Sequence, residues 1–597
     1  KFHADEVAGS CAASLDVMAR QRWSRNPQMD GSYCPEIKSR WKCYSNYRLL
    51  LWAWMMNEIT IIFSPTEISH NGFYMHAALQ SVSVIFIGIP LVYSEVCLAQ
   101  YTNCNIFTMW NYFPLFQNVG YGTFYLIVLK TLYSLVLTSW YLVYTFYSAF
   151  DPPPWLSCDD FNNTKCMLLF GDDCGMKTAS HWFFLREVGN NCTNKTFQCF
   201  YPWKTIVAVI AISSSVYILS IKKEKFIQVV VKLMACYVCI VILVLFCVAL
   251  STSGTWYESK INLNRNNYNF SNCYTSLTRG FLSVGTGYGI IIFLTRDVSF
   301  RSPATMTSIC TPLFALFVSL MFALIAFSGI RTMSYYHGEE ENVIEIGEHL
   351  YFTIFASMSE IISYFDAMPI WGFFWFSVVF VSLYTSFWIL YLFLKELVLN
   401  IELARKYKNI SCMILIMIIV CCSLPFLCSD LTGALTNATE VIQILQTLLF
   451  SISMYWIYGY KNHNVDIIFM IGIKANYFWK VFWIVNPFLL GSILYGRCIY
   501  VFIIFVGIIT QLVAHRGRRE SWVDIISPTQ NWGPKDKVLF RSRKMFVPEI
   551  MTREFLYRQV RIRGYYKQPR IWNRQEEKRH INEESSSEMA WSALTSN

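Results

Sequence analysis

Residues Arg48 to Gly72 read RLLLWAWMMNEITIIFSPTEISHNG. The stretch opens as a membrane helix would, then sets Asn57, Glu58 and Thr60 in the middle of the apolar run and Pro65 soon after. A lipid-facing helix offers such groups no partners. Polar residues at bilayer depth mark a helix that is broken, with its freed backbone lining a cavity. This span is therefore the candidate functional site. The competing reading is a poor, partly interfacial segment.

The rest of the chain supports a membrane setting. It has 597 residues, is 54% hydrophobic and only 15% charged, and its mean hydropathy is +0.36. That is too apolar for a soluble multidomain protein. Lys1 stands where an initiator methionine is expected and no cleavable signal precedes the first apolar run, so the chain is treated as a candidate for truncation at its start. The net charge of +10 comes from basic tails and short loops, which membrane topology explains better than nucleic acid does. No nucleotide-binding signature, zinc-ligand spacing or nucleophile elbow stands out, which argues against an enzyme. No cofactor is expected.

Beyond the opening stretch, apolar runs lie at about 76 to 101, 120 to 148, 204 to 221, 227 to 251, 277 to 297 and 304 to 330. Others follow at about 369 to 394, 411 to 428, 439 to 459, 477 to 495 and 498 to 514. The prediction is an all-α polytopic membrane protein with twelve transmembrane helices. Residues 1–47 form a cytoplasmic tail, 48–514 the helical domain and 515–597 a basic cytoplasmic tail. The turn Lys222-Lys223-Glu224-Lys225 is cytoplasmic by its charge. Residues 149–203 carry sequons at Asn162, Asn191 and Asn194 and several cysteines, and read as an extracellular, disulfide-permissive loop. Asn269 and Asn437 head further sequons predicted outside, whereas the one at Asn409 falls in a cytoplasmic loop. Residues 331–368 are too polar to cross and are expected to form an outer lid.

Several stretches resemble one family, the sodium- and chloride-dependent neurotransmitter and amino-acid symporters. GIPLVYSEVCLAQY, Gly88 to Tyr101, resembles the family's GIPLFFLEVALGQY. FPLFQNVGYG resembles its entry to the third span. WIYGYKNHNVDIIFMIGIKANYFWKVFWIVNP, Trp456 to Pro487, resembles a long signature between its tenth and eleventh spans. PWLSC and NNTKC resemble external motifs, and the resemblance implies a disulfide between Cys158 and Cys166. It further implies a 5+5 inverted-repeat fold like that of the bacterial leucine transporter plus two extra helices, the first and sixth helices broken at mid-membrane. The implied activity is sodium-coupled uptake of a small amino acid, amine or related organic solute across the plasma membrane, by alternating access.

Aligned on that family, Asn57, Glu58, Ile59 and Thr60 replace G-L-G-N. The lost glycines matter because a turn that offers N–H groups to a carboxylate forms most easily without a Cβ. The substrate-site candidates are Asn57, Glu58, Tyr133, Ser134, Gly285, Gly287 and Tyr288. Sodium candidates are the carbonyls of Met55 and Met56 with Thr60, Ser283, Thr311, Thr385 and Ser386; the alternative for Thr385 and Ser386 is two helix-packing hydroxyls. Tyr101, Arg279 and Ser283 are the chloride candidates. Phe63 replaces the family's outer gate arginine, and the acidic partner aligns with Ala434. Arg296 and Asp297 replace part of an S-Y-N motif. A lysine at the depth of Lys130 must face water, snorkel or pair, and Glu58 is its expected partner.

The leading expectation is thus a divergent symporter with a small-molecule substrate in a lipid bilayer and both termini cytoplasmic. Two others remain: a transport-inactive scaffold, regulator or sensor, and a carrier driven by protons through Glu58.

Overall fold

The computed structural model describes residues 44–63, 67–68, 71–156, 166–167, 177–189, 203–222, 224–251, 270–337, 350–363, 368–495, 527–529 and 532–546. Pro65, Cys158, Asn162, Asn191, Asn194, Asn269, the span predicted at 498 to 514 and most of both tails lie outside these residues.

The described chain is helical apart from a two-residue parallel pair, Cys166–Met167 with Lys177–Thr178. In chain order the helices that matter are α1 (Tyr44–Met55), α2 (Glu58–Ile61), α3 (Phe73–Thr102) and α4 (Val119–Tyr147). Next come α5 (Trp203–Ile221), α6 (Glu224–Ser251), α7 (Phe270–Leu282), α8 (Ile290–Thr295) and α9 (Ala304–His337). The series ends with α10 (Leu350–Ser363), α11 (Met368–Leu399), α12 (Lys408–Ser423), α13 (Ser429–Ile457), α14 (Tyr460–Ile471), α15 (Tyr477–Tyr495) and α16 (Lys537–Met545).

Among the described residues nine helices are long and apolar enough to cross a membrane. They differ in how much of their surface the protein itself covers. The spans of α3, α4 and α11 are 83% buried, whereas those of α5, α6 and α12 are only 39%, 33% and 28% buried. The uncovered faces are apolar: Ile210 and Ile218 on α5, Leu233 and Ile240 on α6, and Met413 and Met417 on α12 are exposed. An apolar outer face suits lipid, so α5, α6 and α12 form the rim and α3, α4 and α11 the scaffold. α4 packs along α11, and α7 along the start of α3. That second contact is close because Gly280 has no side chain: a Cβ there would lie 2.9 Å from Ser83 Cβ and 3.1 Å from Gln80 Cα. Within α3 a π-helical turn, Val84–Gly88, interrupts the regular spiral.

The two remaining inner elements are interrupted. α1 stops at Met55 and restarts as α2 at Glu58, while α7 stops at Leu282 and α8 starts at Ile290. Of the segment predicted as a lid, residues 331–337 extend α9 and α10 forms beyond, where Ser180 donates a hydrogen bond to the buried Glu360.

Candidate functional site

Asn57 makes the first break. Its backbone is extended (φ −95°, ψ −178°), and its side-chain oxygen accepts from the N–H groups of Ile59 and Thr60 at 3.1 and 3.3 Å. This is an N-cap, with the amide supplying the acceptor that the first turn of a helix lacks. The Asn57 Nδ2 then donates to the carbonyl of Ser283 at 3.0 Å, across to the second break. The Thr60 hydroxyl donates to the carbonyl of Met55 at 2.7 Å, which closes the gap from the other side. The broken turn is therefore satisfied without glycine, by the side chains of Asn57 and Thr60.

Glycine carries the second break. Gly285, Gly287 and Gly289 have φ of +72°, +85° and +72°, a region L-residues avoid. A Cβ on Gly285 would fall 2.4 Å from Trp54 Nε1, and one on Gly287 2.5 Å from Thr447 Oγ1. The bared backbone groups find side chains: Trp54 Nε1 donates to Gly285 O at 3.1 Å, Gly287 N to Glu95 Oε1 at 2.8 Å, and Gln443 Nε2 to Thr286 O at 2.9 Å. Trp54, Glu95 and Gln443 did not emerge from the sequence as site residues. Glu95 and Gln443 carried a usable signal, since each is a polar residue inside an apolar run.

Between the breaks lies an ion pair. Lys130 of α4 pairs with Glu58 of α2, and their side chains are 0% and 1% exposed. Tyr133 donates its hydroxyl to the same Glu58 oxygen at 2.7 Å. Three aromatic rings surround the ammonium, with centroids at 5.8 Å for Trp54, 5.1 Å for Tyr133 and 5.3 Å for Tyr288. Trp54 and Tyr288 meet edge to face at 5.5 Å. Ser134 is buried beside them, and its hydroxyl has no hydrogen-bond partner. The substrate-site candidates Asn57, Glu58, Tyr133, Gly285 and Tyr288 are thus brought together, with Ser134 and Gly287 adjoining them in the chain.

The sodium candidates divide into two groups. Met55, Thr60 and Ser283 line one cavity of about 10 Å³ together with Gln80, Val284 and Ser319, room for about one water. Ser319 donates to Thr60 O at 3.0 Å and accepts from Gln80 Nε2 at 2.9 Å. Thr311 does not line this cavity; Pro312, Ala315 and Ser319 of the same helix do. Met56 and Thr385 line a second cavity of about 10 Å³ with Trp52, Ala53 and Ser382. Ser386 is fully buried next to Thr385, and its hydroxyl has no hydrogen-bond partner. Both cavities offer oxygen donors, as a hard cation requires.

Two expectations are corrected. Tyr101 does not join Arg279 and Ser283 in an anion site. It closes the far end of α3, with its ring 6.3 Å from those of Phe300 and Trp532. Arg279 instead binds Glu67 at 2.6 Å, approaches Glu440 at 3.6 Å and stacks on Phe63 with its guanidinium 4.4 Å from the ring centre. Its charge is already answered by carboxylates, which disfavours a bound anion there. Ala434 is exposed, and the acid on α13 that approaches Arg279 is Glu440, six positions further along. Ser276 donates to Glu67, and Asn71 Nδ2 donates to Ser276 Oγ at 2.8 Å. The cation of this cluster comes from α7 and the acids from the stretch after α2 and from α13. Glu67 and Glu440 were missed. A carboxylate inside an apolar run is the signal that singled out Glu58; Glu67 lies in the polar stretch after Phe63 and carried no such signal, while Glu440, at the head of an apolar run, did.

At the opposite ends of α3 and α8 lies a wider polar cavity of about 880 Å³, lined among others by Asn103, Arg296, Asp297, Glu396, Trp532 and Lys535. Arg296 pairs with Glu396 and lies 3.6 Å from Asp297. Asn437 is exposed on α13, whereas Thr439 of its sequon is buried.

Residues 68–507 match the sequence profile of the "Sodium:neurotransmitter symporter family". The sodium-dependent serotonin transporter of Drosophila melanogaster is 22% identical over 416 residues, which cover 67% of this chain and 66% of that protein. The sodium- and chloride-dependent taurine transporter of Rattus norvegicus is 26% identical over 215 residues, 36% of this chain and 31% of the relative. The human taurine transporter is 25% identical over the same length, with the same coverage. The matched stretches therefore span just under two thirds of the fly protein and about a third of the taurine transporters.

Proposed function

Because the chain belongs to the sodium:neurotransmitter symporter family, we propose that it carries a small amino acid, amine or related organic solute across the plasma membrane, coupled to sodium and by alternating access. The observation that supports this most is the joint between the two broken elements. Asn57 reaches Ser283 O and Trp54 reaches Gly285 O, around a buried ion pair. Broken helices that expose backbone only to protein or to a cavity are how such carriers place a site at mid-membrane. On this reading α1 with α2, and α7 with α8, are the first and sixth of twelve helices, and stand at matching places in two inverted five-helix repeats.

Sodium is proposed at the cavity lined by Met56, Ser382 and Thr385; Ser386, the next residue, is buried with its Oγ without a hydrogen-bond partner. The cavity of Met55, Thr60 and Ser283 is the second candidate; there the Thr60 hydroxyl donates to Met55 O and keeps its lone pairs for a cation. Phe63, Arg279, Glu67 and Glu440 are proposed as the outer gate. A coupled chloride, where there is one, sits away from Tyr101. The basic turn at Lys222 supports a topology with both termini in the cytoplasm. Serotonin and taurine, named for the relatives, each carry a primary ammonium, which makes amines and amino acids the first solutes to test.

Uptake or current in cells expressing the protein tests the proposal. A sodium-dependent flux that falls in Thr385→Val and Ser386→Ala supports it. No flux from a broad panel of amines and amino acids, with normal surface delivery, overturns it in favour of a scaffold or sensor. A sodium-independent, pH-dependent flux lost in Glu58→Gln replaces sodium with protons.

A further inference from the structure

We propose that Glu58, Trp54, Tyr133 and Tyr288 form a primary-ammonium site that the chain fills with its own Lys130, so that an external amine binds there only in place of that side chain. This deepens the symporter reading by naming the group the central site takes. It rests on that reading only for placing the solute there.

The parts are those an ammonium needs out of water. One carboxylate oxygen of Glu58 takes the charge directly. Three π faces within 5.1 to 5.8 Å supply the diffuse negative potential that stabilises a desolvated cation. Tyr133 holds the carboxylate in place with its hydroxyl at 2.7 Å. The receptor and its occupant also have different origins. Trp54 and Glu58 flank the first break and Tyr288 lies in the second, so the cage is assembled by the two broken elements. The ammonium arrives on α4, on a four-carbon stem, as a tethered ligand would.

A buried polar atom without a partner costs free energy, which a solute atom arriving there would recover. Here the second oxygen of Glu58 and the hydroxyl of Ser134 are both buried without hydrogen-bond partners. Ser134 lies one turn beyond Lys130 on α4, hence on the same face. These two groups mark a place for the remaining polar atoms of a solute whose ammonium displaces Lys130.

The test is chemical rescue of the full-length protein in detergent, read as thermal unfolding. Lys130→Ala deletes a stem and head equivalent to n-propylammonium and leaves Glu58 without its cation. We expect it to melt below wild type and to recover saturably with n-propylammonium, but not with n-propanol. Lys130→Ala/Glu58→Gln has no stranded charge and should ignore the amine. Wild type should ignore it at concentrations that saturate the single variant. Equal responses to amine and alcohol, or equal gains in the single and double variants, overturn the proposal. A Lys130→Ala protein that stays aggregated with and without the amine, while the double variant folds, overturns it too. Flux enters neither arm. Rescue without symport counts only against the transport reading, and symport without rescue only against this one.

Discussion

Replacing Arg279 with Gln tests how far the outer cluster ties three elements together. The three side chains are largely withdrawn from water, at 13% exposure for Arg279, 5% for Glu67 and 3% for Glu440. At the observed 2.6 and 3.6 Å, and an effective dielectric of about 20, the two attractions are worth roughly 6 and 5 kcal/mol before desolvation. Desolvation offsets most of that, so the quantity to measure is the effect of removing one partner. Stranding two carboxylates should cost about 3–5 kcal/mol of stability. Thermal unfolding of the purified protein reads this out across Arg279→Gln, Glu67→Gln, Glu440→Gln and the two doubles that include Arg279. Each double should be less destabilised than the sum of its singles, by about 1.5 kcal/mol or more, with the larger coupling to Glu67 because its contact is shorter. Coupling within about 0.5 kcal/mol of zero for both pairs would falsify the clamp.

Other expectations concern the breaks and the end that carries α14. Gly287→Ala forces a Cβ to 2.5 Å from Thr447 Oγ1 at φ +85°, and should cost about 1–3 kcal/mol in the same assay; a melt within error of wild type means the turn can relax. Asn57→Ala removes a cap worth about 0.5–2 kcal/mol and the link to Ser283, whereas the neutral Asn57→Ser keeps a capping oxygen and loses the link, so it should be the milder change. His463 of α14 is buried against Trp483, and burial lowers its pKa from 6.5 to about 3. The folded protein therefore resists its protonation: stability is full above pH 6.5 and falls as pH drops toward 3, by about 1.4 kcal/mol at pH 5.5. A His463→Gln variant should flatten that part of the pH profile, and an unchanged slope counts against the assignment.

Helix limits were legible wherever an apolar run met a charge or a glycine. The span expected at 477 to 495 is α15 to the residue. The pair between Glu58 and Lys130 was legible for a physical reason, since two lone charges in one membrane layer have little choice but each other. Directions of side chains were less so. Tyr101 sits in a matching motif but at the far end of α3, and no one-dimensional alignment reports which end of a helix meets a site. Ala434 and Glu440 share a helix and differ by six residues, which is enough to turn one outward and the other toward Arg279. The tie from Arg279 to Glu67 spans 212 positions along the chain and needed the packing of α7 on α3 to become visible. Thr60 illustrates a different limit. Its hydroxyl also closes its own helix break on Met55 O, a role that only the folded backbone reveals.

The π-helical turn at Val84–Gly88 has a bearing on both ends of the second break. Ser83 donates to Leu277 O at 2.6 Å and Glu95 accepts from Gly287 N at 2.8 Å, so α3 addresses α7 before the turn and the glycine segment after it. At about 100° per residue the twelve steps from Ser83 to Glu95 leave the two about 120° apart in a regular α-helix, whereas one residue absorbed by a π-turn brings them within about 20°. The turn acts as a phase shifter: it lets one rod read two consecutive pieces of an interrupted partner with a single face. Regularising 84–88 with every residue kept would swing Glu95 about 100° out of register with Gly287, whereas deleting one residue there would restore the regular spiral and leave Glu95 in phase.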